Sequence, residues 1–144
     1  NNQYKLHCIS ASMSMVKLLT AENQVNNEIF HLINKFFDLI KETNWLKKYI
    51  HWELELLKMS GYDLNLEKIV KKINENNKTF YIVENQNEKK FVPNFLVEKD
   101  IEVDDKNELI NGIKLVTSYL DKNILRPNNL NQPMQRQDFI NILK

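Results

Sequence analysis

The stretch WLKKYIHWELELLKMSGYDLNL, Trp45–Leu66, carries the strongest helix signal in the chain, its stop and the start of the next element. Leu46, Tyr49, Ile50, Leu56 and Leu57 recur at the three- and four-residue spacings of one helix face. Trp45, Trp52 and Met59 widen that face until the helix is apolar on most sides, as suits the middle of a bundle. Gly61 falls where a left-handed C-terminal cap is wanted. Tyr62-Asp63-Leu64 reads as a short extended exit, and Asn65 as the N-cap of a new helical turn.

Glu53 interrupts the apolar face. Lying between Tyr49, Ile50, Leu56 and Leu57, its carboxylate must reach the rim of the core or find a cationic partner. A structural ion pair fits better than a general base, since no companion group stands nearby in sequence.

At 144 residues, 42% hydrophobic and 10% aromatic, the chain is long enough for one domain with a real core. A net charge of +1 argues against a protein that coats nucleic acid along its whole surface, while leaving room for a locally basic face. The one cysteine, Cys8, excludes an intrachain disulfide or a multi-cysteine zinc site and suits a reducing, cytoplasmic setting. No apolar run approaches the length of a membrane span, and no leader pattern opens the chain. The start at Asn-Asn, without methionine, suggests a fragment lacking an N-terminal portion.

Around the central helix the expected fold is mainly α: a helical bundle, residues 1–144 forming one domain, with a small β-hairpin. Helices are expected over about 4–19, 28–42, 45–60, 66–73, 105–123 and 133–143, and the hairpin over about 79–92. The first helix carries Leu6, Ile9, Met13, Val16 and Leu19 with Cys8, Ala11, Met15 and Leu18 beside them. Cys8 is most simply a core residue. Thr20 to Asn27 is a polar break. The second helix presents Ile29, Ile33, Phe36 and Ile40, flanked by Phe30, Leu32 and Phe37, with Asn26 or Asn27 as its cap; Thr43-Asn44 ends it. Connections this short favour antiparallel neighbours.

Thr79-Phe80-Tyr81-Ile82-Val83 is rich in strand formers, Glu84 to Glu88 is a polar turn, and Lys89 to Val92 supplies the return, limited by Pro93. Val97 to Asp105 is an acidic loop. Asp104 or Asp105 caps a helix with Leu109, Ile110, Ile113, Val116, Thr117 and Leu120 inward, to which Gly112 is a small cost. The helix ends through Asn123-Ile124-Leu125-Arg126-Pro127. Pro133 opens a last helix carrying Met134, Phe139, Ile142 and Leu143. The abundant asparagine and lysine are compositional.

Recognisable chemistry is scarce. His7, His31 and His51 lie on three separate helices without HExxH spacing, so each reads as a packing or surface residue. Gly61 and Gly112 stand alone, which excludes a phosphate-binding glycine loop, and Ser10, Ser12, Ser14, Ser60 and Ser118 lack an elbow motif. The acids Glu53, Glu55, Asp104 and Asp105 form no glycosidase or metal-binding arrangement. The reading is a non-enzymatic protein without cofactor or metal.

The segment WLKKYIHWELELLKMSGYDLNLEK resembles the C-terminal domain of the bacterial recombination mediator RecO family. The similarity rests on Trp52-Glu53-Leu54, Leu56-Leu57, Gly61-Tyr62 and Leu64-Asn65-Leu66. Glu22 and Phe30 resemble the family's Glu-Arg-Glu stretch and aromatic-led second helix, and Pro133 and Arg136 its terminal Pro-x-x-Arg. The chain departs from the family at two places. Asn23 and Gln24 replace Arg-Glu, and Ile69 and Lys72 occupy the positions of the first Cys-x-x-Cys of a four-cysteine zinc site. Metal binding is therefore not inherited, and the hairpin stands in place of a zinc-finger-like segment.

The resemblance implies DNA repair and recombination: gap repair with RecR, contact with the tail of the single-strand-binding protein, and RecA loading or strand annealing. Single-stranded DNA would be held mainly by an N-terminal OB-fold that has no counterpart here. Lys47, Lys48, Lys71, Lys72, Arg126 and Arg136 are the candidate contacts to phosphate or to an acidic tail; Glu53, Gly61 and Tyr62 are structural. Arg136 has a second candidate role, as the partner of Glu53. The alternative function is a helical protein–protein adaptor unrelated to repair.

Overall fold

The computed structural model describes residues 2–20 and 27–144. The Asn26 cap and the Glu22, Asn23 and Gln24 stretch lie outside the described residues. In order, the elements are α1 (Asn2–Leu19), α2 (Asn27–Leu39), α3 (Trp45–Met59), α4 (Leu66–Ile69), β1 (Lys71–Glu75), β2 (Lys78–Asn85), β3 (Glu88–Val92), α5 (Asn94–Val97), α6 (Lys106–Leu120) and α7 (Met134–Leu143). A π-helical turn (Asp121–Leu125) and a 3-10 turn (Arg126–Asn128) come after α6. The chain is mainly α with a small antiparallel sheet.

α3 is the hub. Its Tyr49, Ile50, Trp52, Leu56 and Leu57 are all buried, and α1, α2 and α6 pack around it. Phe36 of α2 meets Trp52 with ring centroids 5.2 Å apart and Tyr49 at 6.1 Å, and Tyr49 meets Phe139 of α7 edge-on at 5.6 Å. The Trp52 indole N–H donates to the Leu32 carbonyl at 2.8 Å, so the largest core side chain buries no unpaired donor. Burying side chains of this size contributes about 1.5–3 kcal/mol each.

The end of α3 is set by its sequence. Gly61 has φ +93°; its N–H bonds the Lys58 carbonyl at 3.1 Å, and the Tyr62 N–H reaches the Leu57 carbonyl at 2.8 Å. Those two bonds are a Schellman cap, which needs a left-handed residue that glycine supplies without steric cost. Asn65 precedes α4, but its side chain makes no cap bond and its own backbone is left-handed, φ 55°. Asp63 instead accepts from the Asn65 N–H at 2.9 Å. Of the two candidate caps for α6, Asp105 is the one used, accepting from the Asn107 N–H at 2.9 Å.

Several expectations are corrected. The helix expected over 66–73 stops at Ile69, and Lys71–Glu75 becomes a strand paired with β2, Ile73 facing Phe80 and Lys71 facing Ile82. Strand pairing outweighs the short helical pattern, and the hairpin gains a third strand in the order β1-β2-β3. Two-residue turns join the strands. Asn76 and Asn77 both take positive φ (51° and 64°), the requirement of a type I′ turn, and Gln86 has φ 53°. Asparagine, which tolerates the left-handed region, thus does in this chain much of what glycine does elsewhere.

Other departures concern faces and ends. On α1 the buried stripe is Cys8, Ala11, Ser12 and Met15, while Leu6 is exposed. Phe30 and Phe37 lie on the solvent side of α2, which ends at Leu39. Met134 is exposed because the inner face of α7 is Arg136, Phe139, Ile140 and Leu143. The helix expected to run to Asn123 is α-helical only to Leu120 and winds on through the π turn, which buries Ile124 and Leu125. The acidic loop begins after Val97, which closes α5.

Gly112 owes its place to packing. A Cβ built there would lie 2.5 Å from Cζ of Phe95, a ring buried at the heart of the core. Gly112→Ala is therefore expected to destabilise the protein by about 1–3 kcal/mol, against a helix-propensity gain of at most about 1 kcal/mol. A lower urea midpoint at unchanged m-value would show it; a raised midpoint would show that Phe95 yields freely.

Candidate functional site

Arg136 and Glu53, 83 residues apart in sequence, meet in the core with side chains 0% and 1% exposed. The guanidinium Nε–H is shared between the two carboxylate oxygens at 3.2 and 3.1 Å, and Nη2 donates to Oε1 at 2.5 Å. Nη1 donates to Thr117 Oγ1 at 2.7 Å and to Gln132 Oε1 at 2.5 Å. The Thr117 hydroxyl donates its own proton to the Ile113 carbonyl at 2.7 Å, and the Tyr49 hydroxyl donates to Glu53 Oε2 at 2.7 Å. Side chains from α3, α6, α7 and the segment before α7 thus converge on one planar fork.

The electrostatics reflect this geometry. Burial alone would lower the proton affinity of Arg136, but the adjacent Glu53 carboxylate, acting by charge and hydrogen bonds, more than reverses this and raises it. Burial, and then the negative field of Glu53, push the Tyr49 hydroxyl and the Cys8 thiol well above their usual ranges. Cys8 is therefore an inert core thiol, far from the thiolate that nucleophilic or metal chemistry needs.

His51 is the one polar side chain whose atoms are sealed from solvent without a hydrogen bond at either ring nitrogen, among the described residues. Its ring meets Phe95 edge-on at 5.8 Å. Burial, then the positive charges of Lys99 and Lys47, lower its pKa from 6.5 to about 4. Among the described residues no group of three His, Cys, Asp or Glu side chains converges as a metal cage. Ile69 ends α4 exposed, and Lys72 lies in β1 opposite Tyr81. Neither side chain can serve where a cysteine ligand would be wanted.

The candidate contact residues are not brought together. Lys47 donates to the Ile101 carbonyl at 2.6 Å and so pins the acidic loop to α3. Lys48 pairs with Glu42, Lys71 with Glu84 at 3.2 Å, and Arg126 with Asp121 at 2.7 Å. Arg136 is buried and takes the role of Glu53's partner, which withdraws it from any surface. Lys72 is exposed on β1. Such exposed pairs contribute little to stability and exchange readily for another anion.

Sequence reasoning did not single out a groove of about 1550 Å³ between the sheet and α6. Phe80, Val83, Leu115 and Tyr119 line it, as do Lys78 and Lys90 of the sheet, Lys114 of α6, Lys122 of the π turn, and the acids Glu102, Asp104, Asp105 and Glu108. Its signal in the sequence is the spacing of Leu115 and Tyr119 on the side of α6 turned away from Ile113, Val116 and Leu120, with Lys122 following in the π turn.

Removing one member of the ion pair should leave the other charge buried and unpaired. Arg136→Met or Glu53→Gln is expected to cost about 3–5 kcal/mol, whereas the double change Glu53→Leu with Arg136→Met should cost less than the sum of the two single changes. Chemical denaturation of all the variants measures this, and simple additivity would show that the two groups do not act as a unit. His51 makes a separate prediction. With its folded pKa depressed, the unfolded chain binds more protons between about pH 4 and 6.5, so this contribution to stability is complete above 6.5 and is lost as pH falls through that window. His51→Phe should flatten the decline in denaturation midpoint between pH 7 and 4.5 relative to the wild type; equal slopes would remove the assignment.

Comparison with known proteins supplies what geometry does not. The family model described as "Recombination protein O C terminal" matches residues 3–128. Proteins called DNA repair protein RecO from Rickettsia canadensis, Rickettsia akari and Rickettsia africae are each 30% identical over 67 residues, 46% of this chain and 28% of theirs. The matched stretch is thus little more than a quarter of those relatives' length. No solved structure matches the chain. With the family model covering most of its length, and with the helical architecture and small sheet described above, the chain belongs to the recombination protein O C-terminal family.

Proposed function

We propose that this chain is the scaffold and docking domain of a non-enzymatic mediator of DNA gap repair in the cytoplasm. In this reading it meets RecR and the tail of the single-strand-binding protein, and assists RecA loading or strand annealing. The family match supports a role in repair and recombination. The observation that carries the docking role is the groove between the sheet and α6. An acidic tail with apolar side chains needs cations beside an apolar slot, and Lys78, Lys90, Lys114 and Lys122 border one floored by Phe80, Leu115 and Tyr119. The acids Glu102, Asp104, Asp105 and Glu108 also line the groove and repel such a tail where they lie, which favours the lysine-lined part.

Lys71, Lys48 and Arg126, each paired with an exposed carboxylate, remain auxiliary contacts to an anionic partner, together with the exposed Lys72 and with Lys47, which is held by the Ile101 carbonyl. The reading is tested by fluorescence titration with a peptide of the acidic tail. Binding should weaken as salt rises, and Lys114→Glu with Lys90→Glu should lower affinity by roughly tenfold or more. No binding at low salt would exclude tail capture by this domain.

A further inference from the structure

Strand β1 lies at one edge of the sheet, with β2 as its only strand neighbour. Ile73 at its centre is half-buried, and the residues on either side of it are exposed. The two-residue turn at Asn76 and Asn77 makes Glu75 and Lys78 a hydrogen-bonded pair, and bonded and non-bonded pairs alternate from there along the ladder. Glu75, Ile73 and Lys71 therefore bond to β2, while the backbone N–H and C=O groups of Asn74 and Lys72 point outward. Among the described residues no loop or helix backbone supplies those groups with a partner. The same alternation on the β3 side leaves the Thr79 carbonyl facing Asn94, whose Nδ2 donates to it at 2.9 Å.

The sequence of the strand, Lys71-Lys72-Ile73-Asn74-Glu75, is complementary to its own reverse. Set antiparallel to a copy about a two-fold axis at Ile73, Lys71 faces the partner's Glu75, Lys72 faces the partner's Asn74, and Ile73 faces the partner's Ile73. In that register the outward groups of Lys72 and Asn74 meet as hydrogen-bonded pairs, and the two Ile73 side chains form the closer, non-hydrogen-bonded pair. Ile73 and Phe80 are cross-strand partners on one face, so the two copies join their apolar rows across the seam. Lys71 already leans on Glu84 at 3.2 Å, and an ammonium has donors enough for a second carboxylate.

Charge selects the occupant. Lysines guard an edge against arbitrary strands, and here they meet glutamates only in the register centred on Ile73. Moving the axis to Lys72 sets that lysine against its own copy, as does pairing the other edge, β3, about Lys90; like charges directly opposite repel.

We infer that β1 is a pairing edge for a second copy of this chain, which joins two three-stranded sheets into one of six strands. A five-residue seam is about 17 Å long. Such a contact is smaller than the roughly 1,600 Å² of a standard interface, so the dimer is reversible and its population follows concentration. No residue of β1 lines the groove between the sheet and α6, so both grooves stay open in the pair, and a ligand with two tails gains affinity by engaging both. The pairing itself does not depend on the proposed repair function.

Sedimentation equilibrium of the 144-residue chain, at concentrations up to about 1 mM, tests the inference. The average mass should rise from 17.2 kDa toward twice that value. Asn74→Pro removes an outward N–H at a position where β2 takes no bond, and should hold the chain monomeric. Glu75→Lys and Lys71→Glu each place like charges opposite one another in a homodimer, so each variant alone should stay monomeric. Their equimolar mixture restores an opposite charge to every one of those positions and should dimerise. Because each chain is the same alone and in the mixture, a folding defect cannot produce that rescue. A wild type that stays monomeric over the whole range would overturn the inference, as would a mixture no more associated than its components. So would a dimer untouched by Asn74→Pro, which would place the contact elsewhere. Hydrogen-exchange protection of the β1 amides that appears only when the acidic peptide is added would assign the edge to a foreign strand instead. Failure of the peptide titration bears on the groove alone and leaves the dimer standing.

Discussion

The fork of Arg136 on the carboxylate of Glu53 is the contact on which the rest of the bundle is arranged. It joins α3 to α7 directly, and through Thr117 and Gln132 it gathers in α6 and the segment leading to α7. A buried ion pair is a poor source of net stability, because desolvating both charges offsets most of their attraction. Its contribution is orientational. Apolar side chains accept many packings of similar energy, whereas a planar guanidinium with acceptors at fixed angles accepts very few. The helices around α3 could slide by a turn and still bury leucines; they could not do so and keep this fork paired.

That internal use of charge leaves the outer surface to a different set of cations. Arg136 is spent in the core and Lys47 on the acidic loop, so the lysines of the sheet and of α6 form the accessible basic surface beside the groove. The acids gather along the loop from Glu98 to Asp105. One part of the molecule therefore repels phosphate and another attracts it, although the whole is close to neutral.

Much of this was legible in the residues. The hub helix, its glycine stop, the Asp105 cap and the pairing of Glu53 with Arg136 all stem from local patterns: periodicity, capping chemistry, and a charged side chain on an apolar face at both ends of the pair. What escaped depended on contacts distant in sequence. β1 reads as the tail of a helix because Ile69, Val70 and Ile73 suit either structure, and only pairing with β2 decides. Phe30, Phe37 and Met134 look like core by composition, yet the helices turn other faces inward. Gly112 looks like a cost to α6 until the Phe95 ring is seen to occupy the space a methyl would take. The dispersal of the candidate lysines over separate surfaces is likewise a property of the assembled helices and strands.

The left-handed asparagines of the sheet carry one further consequence. Where a metal knuckle would hold three short strands by ligand bonds, here two-residue turns and backbone ladders do so, in a chain whose single thiol is buried on α1. The register of the strands accordingly depends on turn geometry and backbone pairing, with no cysteine among residues 71–92 to take part in it.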